Sequence, residues 1–384
     1  MRSSGFACFW EDRECVQKFQ SAASIHGHTH YSRETLGFIP DFAEKWPLLR
    51  GLLRSKCETA RIPVDFHAAY WTPPLSPQRA LEVERGQIED GLGLRGLVSL
   101  TDHDSIQAPL FLRTSAQMQE FPISLEWSVP FGTTYFHLGV HNLPSAKSQE
   151  IAEVLEQYRA QGPGVPVTEL LAMLHALPDV LVVFNHPYWD QTRTGDARHE
   201  VAVQAFLEQN HSFLHAFELN GLRSWKENRK AAQLARQWGK PMISGGDRHG
   251  CEPSATLNLT NAQSFAEFVH EIRVEQQSFV LFMPQYQEPT GVRIIQGLLD
   301  VIREYPDFPA GTQRWDDRVF HPGPMGACCE PLSAMWTAPP ALIERCFRIF
   351  GMVENVTLQR VLRQFLSADI DVSLLRADPS RVLR

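Results

Sequence analysis

Short apolar runs recur along the chain, separated by amphipathic stretches. LRGLVSLT (94–101), FPISLEW (121–127), TYFHLGV (134–140), VLVVFN (180–185), LHAFELN (214–220) and PMISGG (241–246) have the length and composition of buried strands. Between them, SPQRALEVERGQIEDG (76–91), HEVAVQAFLEQN (199–210) and SWKENRKAAQLARQWG (224–239) repeat their apolar positions with helical spacing. The first of these opens on Ser76-Pro77 and the last closes on Gly239, the residue types that start and stop helices. Two further helices are expected around GPGVP within 143–178. Strand and helix alternate, which predicts an α/β fold on a parallel sheet, either doubly wound or closed as a barrel.

The rhythm breaks twice. Residues 33–75 form a long connection, read as an insertion, and beyond about residue 285 a Pro/Gly-rich stretch precedes helical patterns near 341–350 and 356–367. We therefore expect one domain over 1–285 and a C-terminal, mostly helical or irregular extension over 286–384. In folds of this class the chemistry-bearing side chains collect where strands end. TDHD (101–104), EW (126–127), NHP (185–187), ELN (218–220) and GGDRHG (245–250) each close an apolar run. HGHTH (26–30) follows only the weak strand signal of Ala22, Ala23 and Ile25.

Composition narrows the classes. A chain of 384 residues with 43% hydrophobic and 21% charged residues is an ordinary globular composition, long enough for a large core. No apolar run approaches the roughly 20 residues that span a bilayer. The N-terminal stretch has acidic residues where a secretory segment would be apolar, so a cytoplasmic protein with no membrane partner is expected. Seven scattered cysteines without a C-x-x-C pair argue for reduced thiols rather than a disulfide framework or zinc ribbon. A net charge of −8 gives no general attraction for nucleic acid.

Histidines spaced H-x-H on an extended segment share a face, so His26 and His28 can reach one ion. Asp247-Arg248-His249 repeats that period with a carboxylate and an imidazole, and His103, Glu126, His137 and His186 arise at or near other strand ends. Mixed nitrogen and oxygen donors suit zinc, manganese or iron better than calcium or magnesium.

The order of these motifs resembles the polymerase and histidinol phosphatase (PHP) family of metal-dependent phosphoesterases. Its H-x-H-T-x-x-S motif is matched by His26 to Ser32, its T-D-H-D by Thr101 to Asp104, its bridging glutamate by Glu126, its next histidine by His137, its H-P by His186-Pro187, and its closing G-S-D-x-H by Gly246 to His249. The resemblance implies a distorted (β/α)7-type barrel holding two or three divalent ions. The implied ligands are His26, His28, His103, Glu126, His137, His186, Asp247 and His249, with Glu34 as the candidate for a ninth. It also implies hydrolysis of a phosphate mono- or diester by a metal-bridging hydroxide attacking phosphorus. Arg248, and with a heavier discount Arg193 and Arg33, are candidates for gripping the phosphate, and Asp102 for orienting a ligand or accepting a proton. The substrate class is a phosphorylated small molecule or nucleotide, with a nucleic-acid end disfavoured by the acidic balance.

Three departures stand out: Ser24 where many members carry Asp, Gly246 where a serine is usual, and the length of 33–75. Two other readings stay open. An amidohydrolase-type metal hydrolase also opens with H-x-H, but would need neither T-D-H-D nor a closing D-x-H. A non-catalytic metal-binding or regulatory module would bind metal without turnover.

Overall fold

In a computed structural model, which describes residues 3–36, 68–161, 165–323, 329–335 and 345, two five-stranded sheets carry the molecule. The strands are β1 (Ser3–Cys8), β2 (Ser21–Ser24), β3 (Glu34–Thr35), β4 (Tyr70–Trp71), β5 (Arg95–Val98), β6 (Leu125–Phe131), β7 (Thr134–His141), β8 (Leu181–Asn185), β9 (Ala216–Asn220), β10 (Met242–Gly245), β11 (Thr256–Thr260), β12 (Gln277–Phe282), β13 (Val319–Pro322) and β14 (Cys329–Pro331). The larger helices are α1 (Pro77–Leu92), α2 (Gln107–Leu112), α3 (Ser148–Gln161), α4 (Val167–His175), α5 (Asp196–Asn210), α6 (Trp225–Gln237), α7 (Phe265–His270) and α8 (Thr290–Ile302). Helix starts follow the sequence signals. Ser76 caps α1 with Pro77 behind it, and Ser224 and Glu227 form a reciprocal capping box on α6.

One sheet runs β1-β12-β11-β2-β5 and the other β10-β9-β8-β7-β6. Both are mixed, which corrects the expectation of a parallel sheet: β7 is antiparallel to β6 and β8, and β11 to β2 and β12. The cause is local. Only Gly132 and Thr133 separate β6 from β7, with Gly132 at φ +60°, and so short a link can join strands only as a hairpin. The sheets do not close into a barrel. Among the described residues they are linked by two isolated bridges, Gly27 with Arg248 and His103 with Glu126.

Between the sheets, Ala23, Ile25, Leu97, Val183, Ala216 and Ile243 pack on one another and on Phe265 and Phe268 of α7. A larger core lies on the other face of the second sheet, where Trp127, Phe184 and Phe217 meet helices α3 to α6. A third, small antiparallel sheet runs β14-β13-β4-β3. It joins the two edges of the 33–75 insertion to the segment beyond residue 285 and sets Glu34 opposite Trp71. No helix among the described residues is long and apolar enough to cross a membrane. Cys8, Cys15, Cys251 and Cys329 form no disulfide among the described residues. Cys57, Cys328 and Cys346, and the helices expected near 341–350 and 356–367, lie outside the described residues.

Candidate metal centre

All nine side chains expected as ligands come together at one edge of the two sheets. They form four overlapping groups whose donor atoms lie within 4.8 Å of one another: His28, Glu34, His103 and His249; His26, Glu126 and His186; His26, His28 and Asp247; and His103, Glu126 and His137. His26 and His28 lie just past β2, in a segment held to the end of β10 by the bond from His28 N to Arg248 O at 2.9 Å. His103 follows β5, and His186 follows β8. Glu126 does not end a strand as its apolar run implied; it is the second residue of β6. His137 stands within antiparallel β7, paired with Asn185. His186 (φ +22°) and Asp247 (φ +52°) hold left-handed backbone conformations, strain of the kind that concentrates at functional sites.

The rings are fixed from behind. His26 Nδ1 donates to Glu218 Oε1 at 2.5 Å, and His249 Nδ1 donates to the Asp247 carbonyl at 2.9 Å. Both acceptors leave Nε2 as the free donor atom facing the cluster, the arrangement by which an outer carboxylate or carbonyl orients a metal-binding imidazole. Glu218 also accepts from the His186 amide at 2.8 Å, and its carboxylate occupies the space a side chain at Gly245 would need. Glu126 Oε1 takes the Asn185 amide at 2.8 Å. Its Oε2 is buried and accepts no hydrogen bond among the described residues, although His26, His103 and His28 lie 3.2, 3.3 and 3.5 Å away. His103 Nδ1 is orphaned in the same way, and His26 Nε2 faces His28 Nε2 at 3.2 Å. Buried donor atoms turned toward a common space, two of them without a hydrogen-bond partner among the described residues, fit divalent cations, so the residues present suit a metal centre.

Charge tells the same story. Burial opposes ionisation of Glu126, Asp247 and Glu34, yet neighbouring His26 and Arg223, or His103 and His249, hold all three well below the usual carboxylate range. Burial depresses His103, but Glu34 and Glu126 overrule it and push it up to about 10; Glu126 and Glu218 likewise raise His26. Burial, with the charges of His249 and His103, lowers His28 to about 3 and keeps its imidazole neutral. The cluster therefore gathers several buried negative charges around imidazoles that must carry protons unless other cations replace them.

The other expected residues fall differently. Asp102 is buried, and its two oxygens accept from Thr29 N at 2.5 Å and Thr29 Oγ1 at 2.7 Å. Burial raises it to about 6. Arg248 corrects the expectation of a phosphate grip, because its buried guanidinium donates to Glu84 Oε1 at 2.9 Å and to the Gly250 carbonyl. Arg33 is exposed over Tyr70 and Arg193 is an exposed loop residue, so neither joins the cluster.

The departures at Ser24 and Gly246 are compensated from elsewhere. Glu84 of α1 brings a carboxylate to Ser24 Oγ at 2.8 Å, and Ser254 places its hydroxyl where a side chain at Gly246 would begin. Sequence reasoning missed Arg223, which donates to Asp247 Oδ2 at 3.0 Å and lies flat on Trp189, 3.7 Å from the ring centre. Its Nε is buried without a hydrogen bond among the described residues. The available signal was its place just past ELNG, at the end of a strand already assigned to the site.

The chain matches no protein-family model, and no curated protein matches it significantly. Among solved structures it is similar to PsfC from Pseudomonas syringae, at 15% identity over 58% of this chain and 87% of that one, TM-score 0.38. An amidohydrolase from Chromobacterium violaceum, solved with sulfate and no metal, matches at 14% identity over 59% and 87%, TM-score 0.36. A chain carrying the name metal-dependent phosphoesterase, from Bifidobacterium adolescentis, matches at 14% identity over 52% and 91%, TM-score 0.32. At these scores the likeness decides nothing about chemistry, and the reading below stands on the site's own geometry.

Proposed function

We propose that the protein is a metal-dependent phosphoesterase of the PHP type, hydrolysing a phosphate mono- or diester. The observation that carries this reading is the convergence of nine buried or half-buried donors into four overlapping groups in which Glu126 and several histidines are shared. Sharing is what a centre of two or three ions requires, since one ligand set then serves neighbouring sites. Bound zinc, manganese or iron would supply an acidified water and would offset the negative charge that gathers on phosphoryl oxygens.

The chain's own residues supply the rest. Glu126 presents one anchored and one unbonded oxygen, so it can span two ions without turning. Glu218 and the Asp247 carbonyl keep Nε2 of His26 and His249 aimed inward. Asp102 fixes the turn after His28 through Thr29. Arg223, immobilised between Asp247 and Trp189, replaces Arg248 as the guanidinium placed to receive a phosphate oxygen at the rim.

The test is elemental analysis of the purified protein together with a panel of aryl phosphates, phosphodiesters, amides and lactones. Stoichiometric zinc, manganese or iron with phosphate release supports the reading. Turnover of amides or lactones alone would move the protein to the amidohydrolase class, and stoichiometric metal without any turnover would make it a binding module.

A further inference from the structure

A cavity of about 610 Å³ opens directly beside the cluster, with Asp247 and His249 in its wall. That size is ordinary for a pocket taking a small organic molecule. Trp71, its ring centre 5.9 Å from that of His249, and Trp189, which carries Arg223 on its face, both line it. The far wall is α8, which turns Ile294 and Leu298 into the cavity. Trp189, Ile294 and Leu298 are 40%, 42% and 44% exposed, and these three large apolar side chains left open to solvent line one space. Gly297 lies between them, with nothing within 4 Å of the position a Cβ would take.

We infer that the ester acted on carries a flat, fused-ring apolar group larger than a single benzene ring, seated between Trp71, Trp189 and the α8 wall while its phosphoryl group meets the cluster. This deepens the phosphoesterase reading and rests on it. Continuity of the two spaces through Asp247 and His249 sets the order of the parts: charge at the metal ligands, ring system in the cavity. Arg223, bonded to Asp247 and stacked on Trp189, marks the boundary between them. A small polar alcohol in the ester would leave this apolar wall wet, whereas a ring system removes it from water.

Two measurements on the metal-loaded full chain test the assignment. In calorimetric titration, 2-naphthylmethylphosphonate, which cannot be hydrolysed, should bind about tenfold tighter than benzylphosphonate, the gain expected from burying one further ring. In steady-state assays, kcat/KM for 2-naphthyl phosphate should exceed that for phenyl phosphate by a similar factor, the two leaving groups being of comparable basicity. Gly297→Leu fills the cavity at a helical position where leucine is the better helix former, and it should collapse both ratios toward one. Ile294→Gln should reduce them in part. Equal affinity for the two phosphonates, or a preference that survives Gly297→Leu, overturns the inference even if phosphates are hydrolysed. A naphthyl preference in binding, abolished by Gly297→Leu, with no turnover of either phosphate retains the pocket and removes the phosphoesterase reading. If Gly297→Leu changes the sedimentation of the protein and leaves naphthyl binding unaltered, the α8 face is covered by a second copy of the chain and the inference fails.

Discussion

Two groups of histidines among the described residues, one at the cluster and one around His215, behave in opposite ways. At the cluster, His26, His28 and His103 turn ring nitrogens toward carboxylates and toward each other, leaving His103 Nδ1 and Glu126 Oε2 without hydrogen bonds among the described residues. Near the start of β9 and the end of α4, His215 Nδ1 accepts from Val182 N at 2.9 Å and its Nε2 bonds His175 Nδ1 at 2.9 Å. That pair completes its hydrogen bonds within the protein. Burial of an imidazole is therefore not the mark of a metal ligand; a buried imidazole whose lone pair faces an empty convergence of donors is. The distinction is testable because the two regions should respond differently to metal, to substitution and to acid.

The largest difference should appear on removing a ligand. His28→Ala or Asp247→Ala should lower phosphate-ester turnover by at least about a thousandfold, since metal stabilisation of the transition state is worth several kcal/mol. Each should also lower bound metal in elemental analysis. His215→Asn, although it alters an equally buried imidazole, should retain its metal and most of its turnover. Full activity and metal content in either ligand variant would erase the contrast between the regions.

Chelation should come next. Metal held at about a hundred times its dissociation constant stabilises the native state by about 2.7 kcal/mol, so stripping it should lower Tm by several degrees. Hydrogen exchange can localise the effect. The amide of His28, bonded to Arg248 O, should exchange faster in the stripped protein, and that of Val182, bonded to His215, should not. Uniform acceleration at both sites would mean that metal supports the whole fold rather than one edge.

Asp102→Asn should have a smaller effect, about 10- to 100-fold in metal affinity or activity, the usual scale for a group that orients a ligand through a neighbour. An amide can keep the bond from Thr29 N through its oxygen, but its NH2 group cannot accept from the Thr29 hydroxyl as the second carboxylate oxygen does, so the turn after His28 loosens while His28 itself stays in place. Unaltered metal affinity and turnover in this variant would leave Asp102 with a purely structural role.

Much of this edge was legible in the sequence because several of its candidate ligands sit at motif spacings that bring them close in space. His26 and His28 need only an extended backbone to point together, whereas Asp247 meets His249 from a left-handed backbone at φ +52°. What was not legible depends on partners remote in the chain. Glu84 substitutes for a carboxylate near Ser24 from sixty residues away, and Ser254 fills the space of a missing serine at Gly246, exchanges that no local spacing encodes. Arg248 misled for a related reason: its position between two candidate ligands drew attention, yet its guanidinium is held by Glu84, 164 residues away in the chain. The fold shows the same limit. Strands β5, β8, β9 and β10 follow their apolar runs within a few residues, but the edge strand β1 and the strands β12 and β11 next to it in the sheet gave no comparable signal.

The smallest effect expected is in acid stability, and it belongs to the second region. Burial, reinforced by Arg273, His175 and Lys240, lowers His215 to about 2. In the unfolded chain the same imidazole titrates near about 6.5. Between these values the unfolded state holds a proton that the folded state refuses, so stability contributed by neutral His215 is complete above about pH 6.5 and is lost as the pH falls. At about 1.4 kcal/mol per pH unit, acidification from pH 6.5 to 5 removes about 2 kcal/mol through this group. His215→Asn keeps an acceptor for the Val182 amide but has no proton to gain. Urea midpoints measured from pH 7.5 to 5 should therefore fall less steeply for the variant than for the parent, even though the variant starts less stable. Chelated and metal-loaded proteins should show the same difference in slope between parent and variant, because His175 and His215 bond each other and the backbone rather than the cluster. Identical slopes in parent and variant would place the acid sensitivity elsewhere, and a difference in slope that vanished on chelation would mean the two groups of histidines are coupled after all.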